Sequence, residues 1–449
     1  MARPSYNIPT GLDEELVVIP RESRRKLGTL YRLDQQATNA DKVGQAQFGD
    51  IELSEEQDVA FRSLKHWVEH TKLHPGEYHV KTLGGLAGTG KTTILGFFAR
   101  YAQKHYNVAY CALTGKASSV LLRSLRSHGV DPGYCGTVHG LMYQPQTDEE
   151  TGAILGWGKN EAIDYDLIVV DEASMLSGEL LDDLASYRVP ILAVGDHGQL
   201  PPVGEDAGVM QDPDIRLEKV LRQACDNPII ALSIIIRRGG DWRSFVKQCQ
   251  DPRIQHVDAM EATSLAMNKF KGVTSRPMSE DPLLLCGTNR MRAELNRAAR
   301  IPLQTDEILV PGERIIVLKN QRLSGMFLAN GFLGKVTGLG HAPNPLHVCA
   351  HVNFADEGLE LRNGMMCRAQ FGAPRTIREF GEVNPDIRSW HEIGLLVDYG
   401  YAITCHKSQG SQSDNVVVCV ERMGMGEEEF RRWLYTAASR STKNLTMVF

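Results

Sequence analysis

Long apolar runs are missing from this sequence. No stretch is apolar over the roughly 20 residues that a bilayer-spanning helix needs, and the N-terminus lacks the charged-then-apolar order of a secretory signal. Both absences argue against a membrane partner and predict a cytoplasmic chain. Paired cysteines are missing too. The nine cysteines are scattered and none stands in a C-x-x-C pair, which excludes a zinc ribbon or a disulfide framework and suggests a reduced, intracellular setting. A dominant charge of one sign is likewise absent. With 49 Lys and Arg against 55 Asp and Glu the net charge is -6, so a nucleic-acid partner would have to be met by a local basic groove on an acidic body. There are no long internal repeats and no low-complexity tract. What remains is 449 residues with 42% hydrophobic and 23% charged content, an ordinary globular composition in a chain long enough for two to four domains.

The chain is organised around Gly85-Leu-Ala-Gly-Thr-Gly-Lys-Thr92, which fits the phosphate-binding pattern G-x-x-x-x-G-K-[ST] at every fixed position. A β-prone run, Tyr78-His-Val-Lys-Thr-Leu83, stands before it, and Thr93-Ile-Leu-Gly-Phe-Phe-Ala-Arg100 follows with apolar residues at helical spacing. Strand, glycine-rich loop and helix are the context the motif requires. Gly85, Gly88, Thr89 and Gly90, with Lys91, Thr92 and Thr93 opening the helix, would turn backbone N–H groups toward phosphate oxygens. Lys91 would reach the β- and γ-phosphates, and the Thr92 hydroxyl would help hold Mg²⁺. A nucleoside triphosphate is the expected ligand.

Residues 1–50, punctuated by Pro4, Pro9, Gly11 and Pro20, read as an accessory segment, with a small basic cluster at Arg21, Arg24, Arg25 and Lys26. The first helix follows Ser54, which with Gln57 fits a capping box ahead of Val59, Phe61, Leu64 and Trp67. Gln57 therefore has two readings, a helix cap or a reader of the adenine edge. Val108-Ala-Tyr-Cys-Ala-Leu113 is a buried-strand pattern, and Thr114, Gly115 and Lys116 at the turn after it suit a backbone phosphate. Thr137 and His139 repeat the theme. Residues 141–163 read as a protruding hairpin whose strands are 141–144 and 153–157, with Tyr143 and Trp157 either packing its base or stacking on nucleobases.

Asp166-Leu-Ile-Val-Val-Asp-Glu172 is a strand buried on both faces that delivers two carboxylates to the sheet's carboxyl end. Asp171 would hold Mg²⁺ and Glu172 would orient and deprotonate an attacking water. Ile191-Leu-Ala-Val-Gly195 is a third such strand. After it, Gln199 can donate and accept at once, as a sensor of a γ-phosphate must, and Asp196 could link that sensor to the metal shell.

The second half repeats this architecture without a second P-loop. Pro282-Leu-Leu-Leu-Cys286 and Val416-Val-Val-Val-Cys-Val420 are buried strands, while residues 309–395 turn to Gly, Asn and short β-prone runs that suggest a small all-β insertion. Arg222 and Arg440 are placed to stabilise charge on a transferring phosphoryl group if the second lobe faces the first. No metal-binding carboxylate cluster stands apart from the nucleotide motifs, so nothing marks a nuclease centre.

Taken as a series, these motifs resemble the superfamily 1B DNA helicases, the RecD-like and phage Dda-like motors, over residues 53–440. The P-loop is shared with many ATPases. The combination of Gly195-Asp-His-Gly-Gln-Leu-Pro-Pro202 with His406-Lys-Ser-Gln-Gly410 is far more specific. Ser439-Arg440 stands where the family commonly has Thr-Arg, and Gly115 where Dda-like members carry a histidine.

The resemblance implies an α/β fold of two RecA-like P-loop lobes with parallel sheets, at 51–215 and at 216–308 with 396–449. A strand-splitting pin would stand at about 141–163, and the insertion at 309–395 would be an SH3-like β-domain. It implies an ATP hydrolase that translocates 5′ to 3′ on single-stranded DNA and unwinds duplex at junctions, with ATP and Mg²⁺ as cofactors. No oligomer would be required, and replication or recombination proteins would be the natural partners. Residue by residue it implies adenine recognition by Gln57, phosphate binding by Lys91, Mg²⁺ binding by Thr92 and Asp171, and base catalysis by Glu172. Gln199, Arg222 and Arg440 would sense the γ-phosphate. Thr114, Lys116, His139, Asn289, Thr404, His406 and Gln409 would lie along the DNA strand. The rival readings are a single-strand or RNA translocase that opens no duplex, and a nucleotide-dependent binding switch.

Overall fold

The computed structural model describes residues 47–48, 51–73, 79–147, 154–201, 206–220, 227–323, 326–328, 330–355, 358–386 and 390–449. The basic cluster of the accessory segment, the tip of the expected hairpin and Arg222 lie outside the described residues. The account that follows concerns the compact unit Gln45–Phe449.

Six parallel strands form the first sheet, in the order Ile215–Leu217, Val80–Gly85, Ile191–Gly195, Leu167–Asp171, Val108–Ala112, Tyr134–Thr137. The near-continuous apolar runs in these strands are explained by burial on both faces. Leu167, Val169, Leu192 and Val194 point into a core with Leu64, Trp67, Ile94 and Phe98. Their neighbours Ile168, Val170, Ile191 and Ala193 point the other way, onto Leu180, Leu181 and Leu184. The first of these cores is closed by the helix Glu55–Leu73, whose Ala60, Leu64, Trp67, Val68 and Thr71 recur at helical spacing and are buried. Its capping box is formed: Gln57 N donates to Ser54 Oγ at 3.4 Å and Ser54 N donates to Gln57 Oε1 at 3.0 Å.

A second parallel sheet runs Ile254–Val257, Ser441–Val448, Ser413–Cys419, Leu283–Cys286, Ala402–Thr404. Alternation again splits its strands between two cores, Leu283, Leu285, Val416 and Val418 on one face and Leu284, Cys286 and Val417 on the other. That second core continues into Ile315, Val317, Val336 and Val352 of an antiparallel sheet, ordered Leu359–Cys367, His347–Phe354, Leu333–Leu339, Arg314–Val317, Val397–Tyr399. The chain is thus an α/β fold with two RecA-like parallel sheets. Among the described residues no helix is long and apolar enough to cross a membrane.

The hairpin pairs Tyr143–Thr147 with Ile154–Lys159, each strand beginning and ending later than the sequence pattern suggests. The reason is local. Thr137 accepts a hydrogen bond from Gly140 N, capping a short helix Val138–Met142 that absorbs the first apolar residues assigned to the strand.

One buried ion pair ties the antiparallel sheet to the second parallel sheet. Arg292, on the helix Asn289–Arg300, and Asp398 are 4% and 0% exposed and bonded to each other. Asp398 also accepts from Gly372 N and Tyr399 N, both at 2.7 Å. Removing one member strands the other charge in a dry interior, at a cost of about 3–5 kcal/mol. Asp398→Ala should therefore lower the unfolding free energy by an amount in that range, read as a lower urea midpoint. An unchanged midpoint would mean the pair does not hold the two sheets together.

Candidate functional site

Parallel register brings the carboxyl ends of the central strands level. Gly84 pairs with Gly195, and Ala112 pairs with both Asp171 and Thr137. The loops that follow these residues open on one edge, where open α/β sheets bind ligands.

At that edge the loop after Gly85 has Gly88 and Gly90 at φ of 80° and 83°, a region open to glycine without strain. Gly90 precedes the helix Lys91–Ala102, which has no side-chain cap and no acidic residue in its first turn. The neighbouring helices at this edge are capped, by Thr114 and Thr137. The helix Lys91–Ala102 leaves its N–H groups and its positive end for an anion. Lys91 Nζ donates to the carbonyls of Gly85 and Leu86 at 2.6 and 3.1 Å and lies 3.7 Å from Asp196 Oδ2. Thr92 is exposed and Thr93 half-buried. Gln57 serves the loop as well as its own helix, because Nε2 donates to Thr89 O at 3.2 Å. One donor and one lone pair of its amide are engaged, and Thr89 is pinned beneath the loop.

Asp171 and Glu172 end the strand Leu167–Asp171 on the same edge. Glu172 sits at φ 54°, a left-handed conformation unusual for its residue type, whose strain is of order 1–3 kcal/mol. The turn is held by Glu172 N donating to Asp171 Oδ1 at 2.9 Å. It also packs on Gly195, where a Cβ would meet Ser174 N at 3.0 Å. Although Asp171 as a residue is partly exposed, its carboxyl is enclosed, and burial with the Glu172 charge pushes its pKa up to about 7 against the pull of Lys91. A carboxylate destabilised in this way favours a cation, and the Thr92 hydroxyl and Asp171 make the hard oxygen donor set that suits Mg²⁺.

The loop after Gly195 carries the strongest link to the second lobe. Asp196, 1% exposed, accepts from Gly198 N at 2.8 Å through Oδ1 and from the Tyr435 hydroxyl at 2.7 Å through Oδ2. Tyr435 also accepts from the P-loop amide of Ala87 at 2.8 Å. Leu200 is clamped on both sides: its N–H donates to Thr436 Oγ1 at 2.9 Å and its carbonyl accepts from Gln409 Nε2 at 3.0 Å. The Leu200 side chain is part of the second lobe's core, beside Trp433 and Leu434. Gln199 is buried with Oε1 lacking any protein partner, an orphaned acceptor to which a water at the terminal phosphate would donate.

Arg440, at 3% exposed, is held by Thr436 O at 3.1 Å and Ser411 O at 3.3 Å. The structure brings Gln57, the P-loop, Asp171, Glu172 and Gln199 to one edge, and places Arg440 one helical turn from Thr436.

The residues expected along a nucleic-acid strand divide. Thr114 caps its helix by accepting from Ala117 N at 3.1 Å, and Lys116 is half-buried in the same first turn. His139 is exposed and stacks on Tyr143, with ring centroids 5.9 Å apart and planes 29° apart. Asn289 is exposed and accepts from Arg292 Nε at 3.3 Å. His406 is half-buried, and that burial lowers its pKa despite nearby Glu429. Thr404 and Gln409 are buried, and Gln409 points at Leu200 because Gly410, at φ 70°, lies against Thr114 and Ala117. A cavity of about 580 Å³ opens between Ser118, Ser119, Cys135, His139, Tyr143 and Asn320. Two residues, Asn320 at this cavity and Tyr435 at the P-loop, carry no local signal in the sequence. Asn320 comes from the antiparallel region, nearly two hundred residues away. Tyr435 lies on an apolar helix face and reads as core.

Comparison with known proteins agrees with this geometry. Residues 67–259 match the family model described as an AAA domain, and residues 399–448 match that of the UvrD-like helicase C-terminal domain. The ATP-dependent RecD2 DNA helicase of Deinococcus radiodurans is 28% identical over 382 residues, 81% of this chain and 46% of the relative. The RecBCD enzyme subunit RecD of Mycobacterium tuberculosis H37Rv is 28% identical over 418 residues, 82% of this chain and 66% of the relative. The chain thus spans about half of the first relative's length and under two thirds of the second's. Bacteroides Pif1 helicase, solved with ADP-AlF3 and ssDNA, shares the fold at a TM-score of 0.50 and 19% identity, over 89% of this chain and 92% of that one. Fold and site define a two-lobed P-loop protein. Within that class, the chain is similar to the RecD-like DNA helicases.

The raised Asp171 pKa makes a prediction about stability. The carboxyl is neutral in the fold below about 7 and ionised in the unfolded chain above the ordinary aspartate value of 3.8. Its contribution is therefore present at low pH and lost as pH rises through about 7. Without nucleotide or metal, Asp171→Asn should melt above the wild type at pH 8, with the difference shrinking toward pH 5. A difference independent of pH would refute the assignment.

Proposed function

We propose that the chain is an ATP-driven motor that moves 5′ to 3′ along single-stranded DNA and opens duplex ahead of it. The 5′-to-3′ direction rests on the family. The observation that carries the motor reading is the double clamp on Leu200: the loop holding Gln199 and Asp196, beside the P-loop, is bonded to Thr436 and Gln409 of the second lobe. A change at the terminal phosphate cannot move that loop without moving the second lobe.

In this reading Lys91 and the amides from Gly88 to Thr93 hold the triphosphate, and Thr92 and Asp171 hold Mg²⁺, which neutralises charge on the phosphates when bound. Glu172 takes a proton from the attacking water, its carboxylate aimed by the left-handed turn. Gln199 aligns that water, and Arg222 and Arg440 stabilise charge in the transition state as the lobes close. Lobes at 51–215 and at 216–308 with 396–449 are the moving bodies, with 309–395 carried on the second. Single-stranded DNA runs over Thr114, Lys116, His139, Asn289 and His406. The stacked His139–Tyr143 pair beside the cavity supplies an aromatic platform of the kind that accepts bases without regard to sequence.

Steady-state ATP hydrolysis with and without single-stranded DNA tests this. Strong stimulation by DNA is expected, and Glu172→Gln should cut kcat by about 10²–10⁴. Equal rates with and without DNA would remove DNA as the track, and RNA is the next polymer to assay. Duplexes with 5′ or 3′ tails then read direction, with unwinding expected only from the 5′ tail. Replacing His139 with alanine should weaken single-strand binding by about 1–3 kcal/mol, the worth of one stacked base. Unaltered affinity would place the strand elsewhere.

A further inference from the structure

The Tyr435 hydroxyl is the one second-lobe group among the described residues bonded to a P-loop amide. It accepts from Ala87 N and gives its own proton to Asp196, which in turn lies 3.7 Å from Lys91 Nζ. The ammonium of Lys91, the side chain read as reaching the terminal phosphates, is bonded to the carbonyl of Leu86, the immediate neighbour of Ala87. A Cβ on Gly198 would lie 3.0 Å from both Leu86 Cδ2 and the Tyr435 ring, so the three loops close tightly over this point. Tyr435 is 1% exposed on the helix Glu427–Ala438, and Arg440 follows directly after that helix, bonded to its carbonyl at Thr436.

We propose that Tyr435 is a positioning residue that reads the γ-phosphate: its hydroxyl bonds the Ala87 amide of the P-loop, and a triphosphate, not a diphosphate, competes for that amide. The proposal rests on the P-loop being an ATP site. An N–H group serves one strong acceptor at a time. A charged phosphate oxygen makes a stronger hydrogen bond than a neutral phenol does, so Ala87 N–H and Lys91 transfer to the phosphate. Asp196 loses Lys91 and stays bonded to Tyr435, so the tyrosine must shift with it or break away. Either movement is delivered along one helix to Thr436 and Arg440. Burial keeps the phenol well above its ordinary pKa, so it retains the proton that Asp196 accepts. Because the latch opposes triphosphate binding, its removal favours the triphosphate.

The test compares affinities of a non-hydrolysable ATP analogue and of ADP for wild type, Tyr435→Phe and Thr436→Val. Tyr435→Phe is expected to bind the analogue roughly two- to tenfold more tightly, the worth of one neutral hydrogen bond, with ADP affinity unchanged. Thr436→Val, which cuts the neighbouring clamp on Leu200 but leaves the Ala87 amide bonded, should shift the ratio less than Tyr435→Phe does. A Tyr435→Phe ratio within twofold of wild type overturns the proposal, and so does an equal shift in Thr436→Val. A measurement on wild type alone guards against a variant that folds poorly. Amide exchange over 427–438 should rise with the analogue and not with ADP, and identical exchange with both contradicts the latch. Failure of wild type to bind either nucleotide would sink the ATP-site reading itself, a result distinct from binding both with an unchanged ratio.

Discussion

A phosphate site made of backbone demands that some helix be left without a cap, and that is the constraint on which this structure turns. The helix Lys91–Ala102 begins at Gly90 with no side chain covering its N–H groups, while Thr114 and Thr137 close the helices beside it. Everything at the edge of the first sheet compensates for that opening. Gln57 pins Thr89, Lys91 folds back onto the Gly85 and Leu86 carbonyls, and the Tyr435 hydroxyl accepts a hydrogen bond from the Ala87 amide. The polar groups of the loop are satisfied by these partners within the protein.

The partners from the second lobe are what join the two halves. Tyr435, Thr436 and Gln409 all come from the second lobe and all end on the P-loop or on residues 196–200. Leu200 contributes its peptide to the clamp and its side chain to the other lobe's core. Two sheets that otherwise have separate cores therefore share one small polar junction, and it lies at the nucleotide edge. Strain is concentrated there too, in the left-handed Glu172 and in the enclosed Asp171 carboxyl.

Much of this was legible in the sequence, for physical reasons that differ by element. The parallel strands were readable because burial on both faces forces unbroken apolar runs such as Leu167–Asp171. The P-loop was readable because few residues other than glycine tolerate the φ of Gly88 and Gly90. Gln57 was ambiguous between two roles, and the structure gives it the cap together with a contact to the loop. The hairpin boundary slipped because one threonine, Thr137, cast its hydroxyl as a helix cap. Tyr435 and Asn320 could not be read locally. Their positions depend on chain segments that meet only after the sheets have formed, and a tyrosine among Leu434 and Ala437 has no pattern to set it apart from packing.

The central claim is that nucleotide state and strand grip are coupled through the junction at Leu200 and Tyr435. Coupling of this kind is reciprocal. The direct measurement is the affinity of the wild-type protein for labelled single-stranded DNA, alone and with saturating non-hydrolysable ATP analogue, together with the affinity for the analogue with and without DNA. The account predicts that the two ratios are equal and differ from one by about 5-fold or more, the usual scale of such coupling. Strand affinity that ignores the nucleotide would contradict it.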